Sequence, residues 1–155
     1  MSGVRARRLV LAAALTAAAV AAALFVLRRS EALPSGPQDV VWDHTACAEC
    51  RMSVTEHGYA AQLQTQDGRV LDFDDPGCLF RWERHEQPAV HAIWFRHVHD
   101  DRWLAGDKVA FITAGPSPMG YDLGAVDAGA EGAFTITSVR ERFAAPGEGK
   151  DDHAH

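Results

Sequence analysis

An apolar run from Leu9 to Leu27, interrupted only by Thr16, divides this chain into two parts that face different solvents. As a helix its 19 residues would rise roughly 28 Å, close to the ~30 Å hydrocarbon core of a bilayer. A secretory h-region usually spans only about 7–15 residues. Arg28 and Arg29 follow the run directly, where a small-residue cleavage site would stand, and Ser30-Glu31-Ala32 is a poor match to one. Residues 1–30 are therefore expected to form an uncleaved N-terminal transmembrane helix, a signal-anchor. Arg5, Arg7 and Arg8 would hold the N-terminus inside and leave the remainder on the periplasmic, extracytoplasmic side of the cytoplasmic membrane. No cysteine lies near the end of the run to carry a lipid instead.

Setting that segment aside changes the electrostatics. All 21 acidic residues lie beyond residue 30, against ten basic ones, a net of −11 with histidine neutral. Such a surface repels phosphate backbones, so nucleic acid is excluded as a partner. Residues 31–41, with Pro34, Gly36 and Pro37, read as a linker off the membrane. Residues 42–143 supply one modest core. Residues 144–155, ending in His153-Ala154-His155, are polar and expected to be a disordered, histidine-containing tail.

Within the exposed domain, Tyr59–Gln66 and Arg69–Phe73 alternate as strands about the hairpin signal Asp67-Gly68. Asp75 before Pro76 is a helix cap followed by a first-position proline, predicting a helix over 76–85 that buries Cys78, Leu79 and Trp82. Ala89–Val98 alternates as a third strand. A weaker second round follows, with strands at 102–105 and 108–114, a tight Gly115–Gly120 loop, a glycine-rich stretch over 124–130, and a last strand over Phe134–Val139. The fold class is α+β, built from strand-strand-helix-strand units.

Three cysteines in an oxidising compartment leave an odd thiol, so at least one sulfur is free, paired with another chain, or bound to something. The densest chemical signal is Cys47-Ala-Glu-Cys50-Arg-Met52. Two thiolates converge on one ion if the backbone turns between them, and a thioether two residues on adds a third soft donor. Thiolate and thioether together select soft ions such as Cu(I), whereas hard ions prefer oxygen. The second cysteine pair of a zinc ribbon is absent, and Arg51 stands where a c-type haem site needs histidine. A Cys-x-x-Cys element also serves thiol-disulfide oxidoreductases, which place it after a strand at a helix N-terminus. Here a linker precedes it. Met119, between Pro118 and Gly120, is a remote thioether able to close a metal site from the far half of the domain, or a loop plug over the core.

In order, Cys47-x-x-Cys50-x-Met52, Tyr59-Ala-Ala-Gln62, Asp67-Gly68, Phe73-Asp74-Asp75 and Pro118-Met119-Gly120 resemble the NosL family of copper-binding accessory proteins of nitrous oxide reductase assembly. The resemblance spans about Cys47 to Val139. It implies a fold like that of the organomercurial lyases, Cu(I) as cargo, and delivery to a client cuproenzyme or its maturation machinery, with no catalysis. It places metal ligation on Cys50, Met52 and Met119, with Cys47 matching an extra cysteine of many members. Family members usually carry glycine where Arg51 stands, and are often lipoproteins.

Other residues carry weaker signals. His91, His97 and His99 share one strand face, and His44 and His57 flank the cysteines. Asp72, Asp74 and Asp75 lack the spacing of a calcium loop and fit a helix cap better. Cys78, on the apolar helix face, is expected to be a buried small hydrophobe. Mercury chemistry is suggested by the fold relationship alone.

Overall fold

The computed structural model describes residues 14–24 and 33–144. The chain divides into two compact units, Met1–Leu33 and Pro34–His155. In the first, residues 14–24 are helical. Among the described residues no helix is long and apolar enough to cross a membrane. The remainder of the expected 1–30 anchor lies outside them, as do the tail residues beyond 144.

The second unit is a mixed helix and sheet fold. Its first sheet is antiparallel, in the order β2-β1-β3-β4, from β1 (Ala61–Thr65), β2 (Val70–Phe73), β3 (Val90–Arg96) and β4 (Trp103–Ala105). The Asp67-Gly68 hairpin forms as expected, with Gly68 in the left-handed region at φ +86° and Thr65 and Arg69 closing the turn through backbone hydrogen bonds. Between β2 and β3 runs helix α1 (Pro76–Glu86). The Asp75 side chain accepts the Gly77 N–H, Pro76 opens the first turn, and left-handed Gln87 ends the helix just before Pro88. Its buried residues are Pro76 and Gly77 in the first turn and then Cys78, Leu79, Phe80 and Trp82, which include the three expected on its apolar face.

All five residues of β1 are buried, although Gln62 and Gln64 alternate with Ala61 and Leu63. The reason is a strap. The Gln62 side chain accepts the Gln38 N–H at 2.8 Å and donates to the Gln38 carbonyl at 3.1 Å, while Gln64 donates to the Gly36 carbonyl at 2.8 Å. Residues 34–38, within the segment expected to be linker, instead hydrogen-bond the buried Gln62 and Gln64 side chains on the sheet's outer face.

The second sheet, β6-β5-β7, comprises β5 (Val109–Thr113), β6 (Leu123–Asp127) and β7 (Phe134–Thr135). A parallel bridge between His97 and Ala125 joins the two sheets. The glycine-rich stretch begins as strand β6, paired antiparallel with β5, and Gly124 there passes close to its neighbours. A Cβ there would lie 2.7 Å from that of Ala114 and 3.0 Å from a Val98 methyl. The expected final strand stops at Thr135, where helix α2 (Ile136–Ala144) begins. Thr135 Oγ1 accepts the Ser138 N–H, a helix cap, and Ile136, Val139 and Phe143 pack on the core at helical spacing. Phe80, Phe95 and Phe111 meet at ring separations of 5.0–5.7 Å in the centre of that core.

Candidate metal centre

The cysteine motif lies on a tight hairpin. Ala46 and Ser53 pair antiparallel, the Cys47 N–H donates to the Met52 carbonyl at 2.7 Å, and the Arg51 N–H donates back to the Cys47 carbonyl at 3.1 Å. Closing the loop puts Arg51 at φ +68°, a conformation that favours glycine. The Ala48 N–H donates to the Asp72 carbonyl and docks the hairpin on β2. That docking brings the motif against the first turn of α1, and the sulfurs of Cys47, Cys50 and Cys78 all lie within 4.8 Å of one another. Cys78 is thus more than the buried hydrophobe expected from its helix face; it is the third thiol of the cluster. All three cysteines are free, Cys47 and Cys78 wholly buried and Cys50 half-buried.

The environment distributes the protons unequally. Cys47 is lowered to about 5, chiefly because the Cys78 thiol donates to its sulfur, against burial and with help from the backbone N–H groups of Asp74, Cys50 and Glu49. Cys78, the donor in that pair and buried beside a thiolate, is pushed up. Burial also raises Cys50, although its sulfur accepts the Met52 N–H. One thiolate is therefore held ready and two thiols keep their protons. With a metal–thiolate bond near 2.3 Å, the sulfurs of a trigonal site stand roughly 4 Å apart. The cluster needs to contract little to meet an ion.

The backbone of Met119 is tied to the cap of α1 by Asp75. The Asp75 carboxylate, fully buried, accepts from Gly77 N–H at 2.8 Å, from Ser117 Oγ at 2.6 Å and from Met119 N–H at 3.2 Å. The Pro-Met-Gly loop is thereby fastened to the cap of the helix whose first turn bears Cys78. A second strut runs through Arg81, which pairs with Glu49, inside the cysteine motif, at 3.2 Å and bonds the Tyr121 hydroxyl at 3.2 Å. Met119 is half-buried against the core, and Met52 is 55% exposed.

The histidines do not join this cluster. Among the described residues, the three cysteines are the group of metal-binding side chains close enough to share an ion. His97 Nδ1 accepts backbone N–H groups from His99 and Asp100, a structural role. His44 and His91 are exposed, and His57 stacks on Trp42 at 3.8 Å. His153 and His155 lie outside the described residues. Asp75 is the expected cap, and Asp74 accepts the N–H groups of Thr55 and Glu56. The one sequence signal bearing on Cys78 is the odd cysteine count, which leaves at least one sulfur free, paired with another chain, or bound to something.

The chain is similar to the crystal structure of the copper chaperone NosL from Shewanella denitrificans, with a TM-score of 0.51 and 17% sequence identity, over 71% of this chain and 87% of that one. The chain has a NosL-like fold. No protein-family model and no curated protein matches it.

Proposed function

We propose that this chain is a NosL-type copper chaperone that holds Cu(I) at its sulfur cluster and passes it to a client cuproenzyme, such as nitrous oxide reductase, outside the cytoplasm. The convergence of three free thiols within 4.8 Å carries the reading. Cys50 and Met52, with Met119 from the loop fastened by Asp75, form the donors nearest the surface, and Cys47 and Cys78 lie beneath. Soft sulfur donors without a hard oxygen ligand among them suit a monovalent copper ion. The N-terminal apolar run would hold the domain at the outer face of the cytoplasmic membrane.

Titrating the reduced chain with Cu(I) against a competing chelator tests this. Cys50→Ala is expected to lower the affinity at least tenfold, and an unchanged affinity would discard the site.

The low position of Cys47 also supports a second reading, a thiol-disulfide oxidoreductase using Cys47 and Cys50. Against it, the motif sits on a hairpin rather than a helix N-terminus, and Cys47 is inaccessible to a client disulfide. Met119→Leu separates the two, weakening copper binding in a chaperone and leaving thiol-disulfide exchange untouched in an oxidoreductase.

A further inference from the structure

Away from the sulfur cluster, unsatisfied polar atoms gather on one sheet face. Among the described residues, three buried side-chain atoms lack a hydrogen-bond partner: Gln64 Oε1, Trp94 Nε1 and Arg96 Nε. All three belong to the face that the 34–38 strap crosses. Gln64 bonds the strap, Trp94 stands opposite Gln62 in the register, and Arg96 follows Trp94 at the two-residue period of a strand. Arg96 is 9% exposed. Its guanidinium carbon lies 5.9 Å from the ring centroid of Trp42 and 5.5 Å from that of Trp103, its register partner on β4. Trp42 is itself held by its stack on His57. These side chains and residues 37–40 line a cavity of about 390 Å³, within the roughly 300–1,000 Å³ of small-molecule sites.

We propose that this cavity binds a small carboxylate with a flat apolar body, its oxygens on Nε and Nη2 of Arg96 and its body against the indoles of Trp42 and Trp103. The site is separate from the thiols and does not depend on the copper-binding reading. A buried cation calls for a buried counter-charge. The carboxylate that Arg96 does have, Asp101, is 89% exposed and pairs with Nη2, so water screens the pair and Nε stays without an acceptor. Nε and Nη2 together present the two parallel N–H groups that a carboxylate takes side-on. Asp101 thus shows that a carboxylate reaches the guanidinium, and it is a competitor that a bidentate ligand displaces. The aromatic walls favour a planar body over a flexible aliphatic one.

Titration of the full chain in detergent with benzoate, followed through the tryptophan indole N–H signals by NMR, tests the site. Trp42→Phe and Trp103→Phe assign the two signals. Benzoate is expected to shift both saturably, with a Kd of about 1 mM or below. Benzamide, equally flat but uncharged, is expected to leave them in place. Asp101→Asn removes the internal competitor and should tighten benzoate binding about two- to fivefold. Arg96→Lys keeps the charge without the fork and should weaken it, and Arg96→Met should abolish it. Absence of a saturable shift in both the wild type and Asp101→Asn overturns the site. Benzamide binding as tightly as benzoate overturns it too, since the cavity would then be an apolar slot. So does unchanged or weaker benzoate binding in Asp101→Asn, because the ligand would not be taking the place of Asp101.

Discussion

Replacing Asp75 with alanine tests whether one carboxylate fastens the Pro-Met-Gly loop to the thiol-bearing helix. Three donors lose their acceptor, namely the Gly77 N–H, the Ser117 hydroxyl and the Met119 N–H. Loss of a helix cap costs about 1 kcal/mol. Two further buried donors left without a charged partner cost about 1.5–3 kcal/mol each. Burial raises the Asp75 carboxyl, so removing it returns some of that cost. The net loss should be about 3 kcal/mol, a large part of the ~5–15 kcal/mol typical of a domain. For a domain of this size that corresponds to a Tm lower by roughly 10–20 °C. Ser117→Ala removes one of the three donors and also the acceptor of the Asp122 N–H, and should cost about 1–2 kcal/mol. Thermal and urea unfolding measure both, and hydrogen exchange over residues 115–122 locates the loosened segment. A loss below about 1 kcal/mol in Asp75→Ala, or exchange unchanged in the loop, would refute the fastening role.

Other consequences are equally direct. Cys47, lowered from 9.0 to about 5, stabilises the reduced fold fully above its unfolded value, and that contribution drains away as pH falls through about 5. Thiolate absorbance should show one midpoint near 5 that Cys47→Ser abolishes, and the stability gap between the two proteins should widen from pH 5 to 9. Gly77→Ala would set a Cβ 2.1 Å from the Tyr121 ring, so overpacking of about 1–3 kcal/mol should outweigh the alanine helix preference, with a lower urea midpoint as readout. Arg51→Gly relieves a left-handed residue at a cost in unfolded-state entropy, and should raise stability by about 0.5 kcal/mol without lowering copper affinity. Iodoacetamide mapping of the reduced, metal-free chain should label Cys50 before Cys47 or Cys78, and copper should protect it.

The sequence was most legible where one short signal decides a local structure. Asp75-Pro76 opened a helix and Asp67-Gly68 closed a hairpin, because a cap and a turn act over a few residues. Thr135 caps α2 in the same way, but the alternation of Phe134, Ile136 and Ser138 masks the wider spacing of Ile136, Val139 and Phe143. The strap at 34–38 was not legible, because its partners are polar side chains on the outer face of a strand. Cys47 and Cys50 declared themselves by spacing. Cys78 did not, because its place in the cluster depends on the Ala48–Asp72 contact that docks the hairpin on β2. Nothing local in either segment announces that contact.

The arrangement of the thiols separates two properties that a carrier must keep apart. Retention calls for donors that water and competing ligands do not reach, and Cys47 and Cys78 are buried to that degree. Release calls for an exposed edge at which an incoming ligand bonds before an outgoing one leaves, and Cys50 occupies that edge. The ionised sulfur and the accessible sulfur are therefore different atoms. A disulfide catalyst needs them to be the same atom, because attack requires a thiolate that can touch its target. An ion small enough to enter past Cys50 can reach the Cys47 thiolate where a client disulfide cannot. This separation of charge from access is why the sulfur cluster suits a soft cation better than electron-pair exchange with another protein.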